Sequence, residues 1–186
     1  MAALRITGGE DVVAFLKSQH QQIRELFERV RTTSGPDREH VFTDLRRLLA
    51  VHETAEEEIV HPRARWRLGD GDAIVTARLH EEEDAKRILA VLEKLDVDST
   101  EFAEGFVAFQ DDVLAHADAE ETQEFPQLRD ALDESNLARM RTAVRIAEKT
   151  APTRPHPGVE LAGQNMLVGP FAAMLDRARD LLTGKL

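Results

Sequence analysis

Two segments of this sequence place a histidine and a glutamate four positions apart and end in proline. The first, HETAEEEIVHP, covers residues 52–62, and a near copy, HADAEETQEFP, covers residues 116–126. Side chains four positions apart in an α-helix lie on one face, so each segment would present an imidazole beside a carboxylate. Both groups are ligands that divalent transition metals accept. Each segment is therefore a candidate contributor to a metal site.

Four amphipathic helices are predicted to position these segments. Apolar residues at three-and-four spacing mark helix A at 10–32, helix B at 42–62, helix C at 73–95 and helix D at 99–126. Pro62 and Pro126 are expected to end helices B and D, because proline interrupts helical hydrogen bonding. With short connections, four such helices predict an all-α fold, an up-down-up-down antiparallel four-helix bundle.

The bundle is predicted to comprise residues 1–132, and the rest of the chain is predicted to form two further segments. Residues 133–150 form an accessory helix with a narrower apolar face, expected on the outside of the bundle. Residues 151–186 are a Pro-rich linker followed by a short C-terminal helix that begins near Pro170. The apolar side of that terminal helix is expected to dock on the bundle or on an unidentified protein partner.

One histidine falls on the predicted inward stripe of each helix, and two glutamates follow one turn further along two stripes. Burying such groups is costly unless a cation or hydrogen bonds compensate. Taken singly, each is also consistent with an ordinary core histidine or a solvated acid. The joint pattern favours a cofactor site, because facing helices of bundles build di-metal carboxylate centres. The candidates are His20, His52, Glu56, His80, His116 and Glu120.

The combination of a histidine in helix A, HETAE in helix B, a histidine in helix C and HADAE in helix D resembles the hemerythrin, or HHE cation-binding, family. The resemblance spans residues 10–130. It implies two non-heme irons, commonly joined by an oxo or hydroxo bridge, with Glu56 and Glu120 as bridging carboxylates. His20 and His52 would bind one iron, and His80 and His116 the other. Zinc or manganese could bind the same ligand types.

Several positions depart from the oxygen-carrying members of the family. Asp84 stands where those carriers have a second helix C histidine, which disfavours oxygen storage. His61 lies about half a turn from His52 on a regular helix, so it is expected to line an access path instead of binding metal. At most one or two further acids are expected to reach the metal. These secondary candidates are Glu53, Glu57, Glu81, Asp84 and Glu121.

The composition excludes several classes of function. A net charge of −11 repels a phosphate backbone, so no nucleic acid partner is expected. No apolar run approaches the length of a membrane span, and no signal peptide is visible, which predicts a cytoplasmic protein without a membrane partner. The chain has no cysteine, so any metal must be bound by nitrogen and oxygen.

These observations lead to three hypotheses about function. The first is a cytoplasmic di-iron protein that handles peroxide, dioxygen or nitric oxide, with catalase-like peroxide decomposition preferred. The second is a non-catalytic iron or oxygen sensor, and the third is a metal-free interaction bundle. The protein is expected to be a monomer or a weak homo-oligomer. The sequence alone does not decide between enzyme and sensor.

Overall fold

The computed structural model describes residues 11–149, which form seven α-helices and two π-helical turns and contain no strand. The predicted terminal helix and linker lie outside the described residues. The first π turn (Glu56–Val60) joins α2 to α3, and the second π turn (Glu120–Glu124) joins α5 to α6. The helices are α1 Val12–Thr32, α2 Gly35–Ala55, α3 His61–Arg67, α4 Gly71–Leu92, α5 Thr100–Ala119, α6 Phe125–Ala131 and α7 Glu134–Glu148.

The predicted all-α bundle is confirmed, with α1, α2–α3, α4 and α5–α6 as its four arms. The prediction that Pro62 and Pro126 end two of the helices is wrong. Proline has no N–H, and its ring clashes with the carbonyl four residues earlier, but a widened turn can absorb both effects. His61 donates its N–H to the carbonyl of Glu56, five residues earlier, and Phe125 donates to that of Glu120. Both helices therefore continue past their prolines.

The α1–α2 and α4–α5 connections meet at one end of the bundle. Gly35 has a φ of 56°, a left-handed conformation that favours glycine, and its N–H donates to Oδ2 of Asp98 at 2.9 Å. Arg38 donates to the carbonyls of Thr33 at 2.7 Å and Val97 at 2.9 Å. One guanidinium thus ties both connections together and holds the two helical hairpins side by side.

Each arm of the bundle passes from one apolar cluster to another through a polar layer. On α1, for example, Leu16 and Ile23 belong to different clusters, and His20 lies between them. The phenylalanine cluster lies toward the α1–α2 connection and includes Phe27, Phe42, Leu45, Leu89, Phe102, Phe106 and Phe109. The π-turn cluster lies at the opposite end and includes Val12, Leu16, Ile59, Val60, Phe125, Leu128, Met140 and Val144. The two clusters enclose the polar layer from both sides.

Helix α7 covers the π-turn end of the bundle. Asp133 caps it by accepting a hydrogen bond from the N–H of Asn136 at 2.8 Å. Its buried face, which includes Leu137, Met140 and Val144, packs into the π-turn cluster. This helix was expected to pack on the outside, but it supplies part of the core. None of the helices between residues 11 and 149 is long and apolar enough to cross a membrane.

Replacing Phe106 with alanine is expected to lower the free energy of unfolding by about 3–5 kcal/mol, because it leaves a cavity in the phenylalanine cluster. The Phe106 ring lies 5.3 Å from that of Phe27 and 5.4 Å from that of Phe102. Urea unfolding measures the change. Val107→Ala is the control, because Val107 is 49% exposed, and a change under about 0.5 kcal/mol is expected there. Equal effects of the two substitutions would contradict the packing.

Candidate metal centre

Four side chains from three arms of the bundle converge in the polar layer with the spacing of metal ligands. One nitrogen or oxygen from each of His20, His52, Glu56 and Glu120 lies within 4.8 Å of the others, and all four residues are buried. Nε2 of His20 is 3.0 Å from Nε2 of His52 and 3.2 Å from Oε2 of Glu120. Metal–nitrogen bonds of about 2.0–2.1 Å at right angles place neighbouring ligand atoms about 3 Å apart. The group therefore fits a single cation.

A second group of ligands adjoins the first and shares a residue with it. His61, Glu120 and Glu124 are buried and bring one ligand atom each within 4.8 Å of the others. Nδ1 of His61 is 3.4 Å from Oε1 of Glu124, and its Nε2 donates to Oε1 of Glu82 at 2.8 Å. Because Glu120 belongs to both groups, the layer can hold two adjacent cations with one carboxylate between them.

The carboxylates of this layer are not satisfied by hydrogen bonds within the described residues. Both oxygens of Glu56 and of Glu120 lack a hydrogen-bond partner, as do Oε2 of Glu124 and Nε2 of His116. Glu56, Glu120 and Glu124 are each 0% exposed. A buried carboxylate without partners is costly, and a coordinated cation is one of the few groups that can compensate for it. This chemistry fits bound metal ions.

Three histidines are oriented from outside the layer. Each donates Nδ1–H to an outer acceptor, which directs Nε2 toward the centre, as second-shell partners of metal-bound histidines do. The acceptors are Oε1 of Gln19 for His52 at 2.9 Å, Oε1 of Glu121 for His20 at 3.0 Å, and Oε2 of Glu81 for His116 at 2.9 Å. Glu81 and Glu121, expected as secondary ligands, therefore act as orienting groups in this structure.

The charges in the layer respond to burial and to one another. Burial, and next the neighbouring His20, lower the pKa of His52 to about 3. Burial raises the pKa of Glu120, but His116 and His20 outweigh it and lower that pKa to about 2. Neutral imidazole and ionised carboxylate are the forms that bind metal, whereas burial of His61 is outweighed by Glu124 and Glu82, which raise its pKa well above its ordinary value. Burial and the facing Glu120 raise the pKa of Glu56 well above its ordinary value. A nearby cation would counteract this rise, because it favours the ionised carboxylate.

The two π turns decide which side chains reach the layer. His61 follows His52 by nine residues and on a regular helix would face about half a turn away, but the extra residue of a π turn rotates it by about 100°. The second π turn likewise brings Glu124 toward the side of His116. From the sequence, His61 was predicted to line an access path, and Glu124 was not among the predicted ligands. The sequence feature that could have indicated each π turn is a proline within an amphipathic pattern that continues past it.

His80 does not join the layer, so the prediction that it lies on the inward stripe of its helix is wrong. Its side chain is exposed, as is that of Asp84. The buried face of α4 runs through Val75, Arg78 and Glu82. His80 is two residues away from both Arg78 and Glu82 in the sequence, so it lies on the opposite face of the helix. This buried face carries the charged residues Arg78 and Glu82, so apolar spacing alone does not identify it. Glu82 thus takes the place in the layer that was predicted for His80.

The fold and this layer define a class of helical bundle that binds cations through histidines and carboxylates. Residues 11–128 match the hemerythrin HHE cation binding domain, and the chain belongs to this family. The crystal structure of a hemerythrin HHE cation binding domain-containing protein from Mycobacterium kansasii has the same fold. Its TM-score is 0.67 at 18% identity, with 90% of this chain and 98% of that chain covered.

A curated relative shares the domain within a longer protein. A protein of Nostoc sp. named "DNA nickase" is 26% identical over 135 residues, which make up 72% of this chain and 38% of that protein. The chain therefore corresponds to well under half of that relative's length.

Proposed function

We propose that this protein holds two iron ions in its polar layer and decomposes hydrogen peroxide. The observation that carries the proposal is the shared carboxylate of Glu120, which joins two adjacent groups of ligand atoms. His20, His52 and Glu56 would hold one ion with it, and His61 and Glu124 the other. Imidazole and carboxylate without thiolate suit iron, although manganese and zinc accept the same donors.

Peroxide decomposition is a two-electron reaction that needs no other reactant. One peroxide molecule is oxidised to dioxygen, and a second is reduced to two molecules of water. A pair of adjacent redox-active ions supplies that electron exchange when bound. The task of the protein would then be to hold the two positions at a fixed separation, a role that Glu120 would fill, and to admit only a small substrate.

A small cavity beside the ligands, with room for about one water molecule, would be the point of entry for peroxide. Its polar lining residues are His20, His52, Glu53, Glu81, Glu82 and His116. Nε2 of His116 makes no hydrogen bond within the described residues but lies 3.5 Å from Oε1 of Glu120, and from this position it would orient a peroxide oxygen. Apolar residues complete the wall and limit access of bulk water. They are Ile23, Leu49, Ala85, Val113 and Ala117.

Oxygen evolution tests the proposed reaction. The iron-loaded and desalted wild-type protein is expected to release dioxygen from peroxide, and His52→Ala is expected to lose at least a factor of ten in rate. His80→Ala is the matched control, because it also removes a histidine but at an exposed position, and it should retain the wild-type rate. The proposal fails if iron-loaded wild-type protein releases no dioxygen, or if His52→Ala is as fast as the control.

A second candidate function, an iron sensor, is supported by a link between the ligand His52 and α7. Gln19 accepts a hydrogen bond from Nδ1 of His52 at 2.9 Å, and its own Nε2 donates to Oε1 of Glu148 at 2.5 Å. Glu148 lies in the last turn of α7. Metal bound at His52 would thereby restrain the end of this helix.

Amide hydrogen exchange tests this link. Iron is expected to slow exchange in the last turn of α7 in the wild type, and to do so less in Gln19→Leu, which cannot make either hydrogen bond. Identical exchange in α7 with and without iron would remove the support for a sensor.

A nucleic acid substrate is not included in the proposal, despite the name of the Nostoc relative. The match covers 38% of that protein, so its activity can reside elsewhere in its sequence. The net charge of −11 on this chain also opposes binding of a phosphate backbone.

A further inference from the structure

The ammonium group of Lys86 lies among three carboxylates at the edge of the polar layer. Its Nζ is 2.6 Å from Oε1 of Glu57, 3.5 Å from Oε2 of Glu82 and 3.6 Å from Oε2 of Glu53. Glu53 and Glu82 are 8% and 2% exposed, and the Lys86 side chain is 11% exposed. These three glutamates, called the carboxylate cage below, come from α2, the first π turn and α4.

The carboxylate cage is joined to the proposed metal positions through one residue. Oε2 of Glu82 faces Lys86, and Oε1 of the same carboxylate accepts the hydrogen bond from Nε2 of His61 at 2.8 Å. Oε2 of Glu53 and Oε2 of Glu82 have no hydrogen-bond partner among the described residues, so their contact with Lys86 is chiefly a charge interaction. Carboxylate oxygens are also the ligand type that hard divalent cations prefer.

Lys86 offsets part of the negative charge that the glutamates bring to this region. Glu56, Glu120 and Glu124 belong to the proposed metal positions, and Glu53, Glu57 and Glu82 form the carboxylate cage. Two divalent cations would neutralise four of these six charges, and the ammonium of Lys86 would neutralise a fifth. Without it, the cage would keep a negative charge in a low-dielectric interior, where an uncompensated charge costs several kcal/mol, roughly. That charge would attract another cation.

We propose that Lys86 is a built-in third cation of the centre, which fixes Glu82 against His61 and limits the protein to two metal ions. Lys86 is thus a positioning and specificity-determining residue. The inference rests on the proposed pair of metal ions. A lysine suits this role because its ammonium is a compact charge with three donors, matching three acceptors.

Titration of the metal-free protein with Mn²⁺ tests the inference, with free Mn²⁺ measured from its electron paramagnetic resonance spectrum. Lys86→Met is expected to bind one more equivalent than the wild type, because the cage is then open to a metal ion. Lys86→Arg keeps the charge and should match the wild type. Lys17→Met is the control, since Lys17 also pairs with a glutamate, Glu121, at 3.2 Å, but is 45% exposed.

The test compares the number of Mn²⁺ equivalents bound by the variant with the number bound by the wild type. Failure of the inference about Lys86 can therefore be distinguished from failure of the proposed function. A wild type that binds no metal would reject the proposed centre. A Lys86→Met protein that binds no more Mn²⁺ than the wild type would overturn the role of Lys86. Where Lys86→Met fails to fold, Lys86→Gln carries the same expectation. Adding Glu57→Gln to either variant should abolish the extra equivalent, because only two carboxylates then remain in the cage.

Discussion

The Glu120→Gln variant is expected to retain less than one equivalent of metal, whereas the wild type is expected to bind two. Glu120 belongs to both ligand groups and is 0% exposed, so no other side chain can replace it. The amide has nearly the same shape as the carboxylate but no charge, and its NH2 group cannot bind a metal ion. Metal analysis after dialysis against metal-free buffer gives the stoichiometry.

Two further variants show whether the loss follows from the shared position of Glu120. Glu124→Gln should lose one equivalent and keep the other, because Glu124 belongs only to the group with His61. Glu104 lies on the same arm but is exposed. The Glu104→Gln variant should therefore bind as much metal as the wild type. If Glu120→Gln and Glu124→Gln lose equal amounts, Glu120 does not join the two positions.

Removing the metal from the wild-type protein is expected to lower its Tm by about 8–16 °C. A ligand present at a thousand times its Kd stabilises the folded state by about 4 kcal/mol, and 1 kcal/mol corresponds to about 2–4 °C for a domain of this size. The physical reason is the set of buried carboxylates, which repel one another when no cation lies among them. Thermal unfolding of metal-loaded and chelator-treated samples, followed by circular dichroism, measures the shift.

A substitution of Glu56 separates this electrostatic cause from a general loss of structure. Glu56 faces Glu120, and burial with that facing charge raises its pKa well above the ordinary value. Glu56→Gln removes the repulsion, so its metal-free form is expected to melt above the metal-free wild type. Its metal-loaded form should melt below the metal-loaded wild type, because a ligand is missing. Parallel shifts of both forms in one direction would contradict this account.

The sequence alone determined the bundle and part of the candidate centre, because both follow from local helical geometry. Three-and-four spacing of apolar residues marks the four arms. The same spacing places His52 with Glu56, and His116 with Glu120, one turn apart. The structure brings His20, His52, Glu56 and Glu120 together, since each lies on a stripe whose apolar neighbours are buried.

Only the tertiary structure decided which other side chains face the polar layer. Each π turn shifts the helical register by one residue, which brings His61 and Glu124 inward. A prediction based on a regular helical period cannot detect that shift. On α4 the buried face carries Arg78 and Glu82 between apolar residues. A search for apolar periodicity therefore selected the opposite face and His80. Packing against the other arms determines the rotation of this helix. Glu82 can be buried there because His61 of another arm and Lys86 of the same helix pair with its carboxylate.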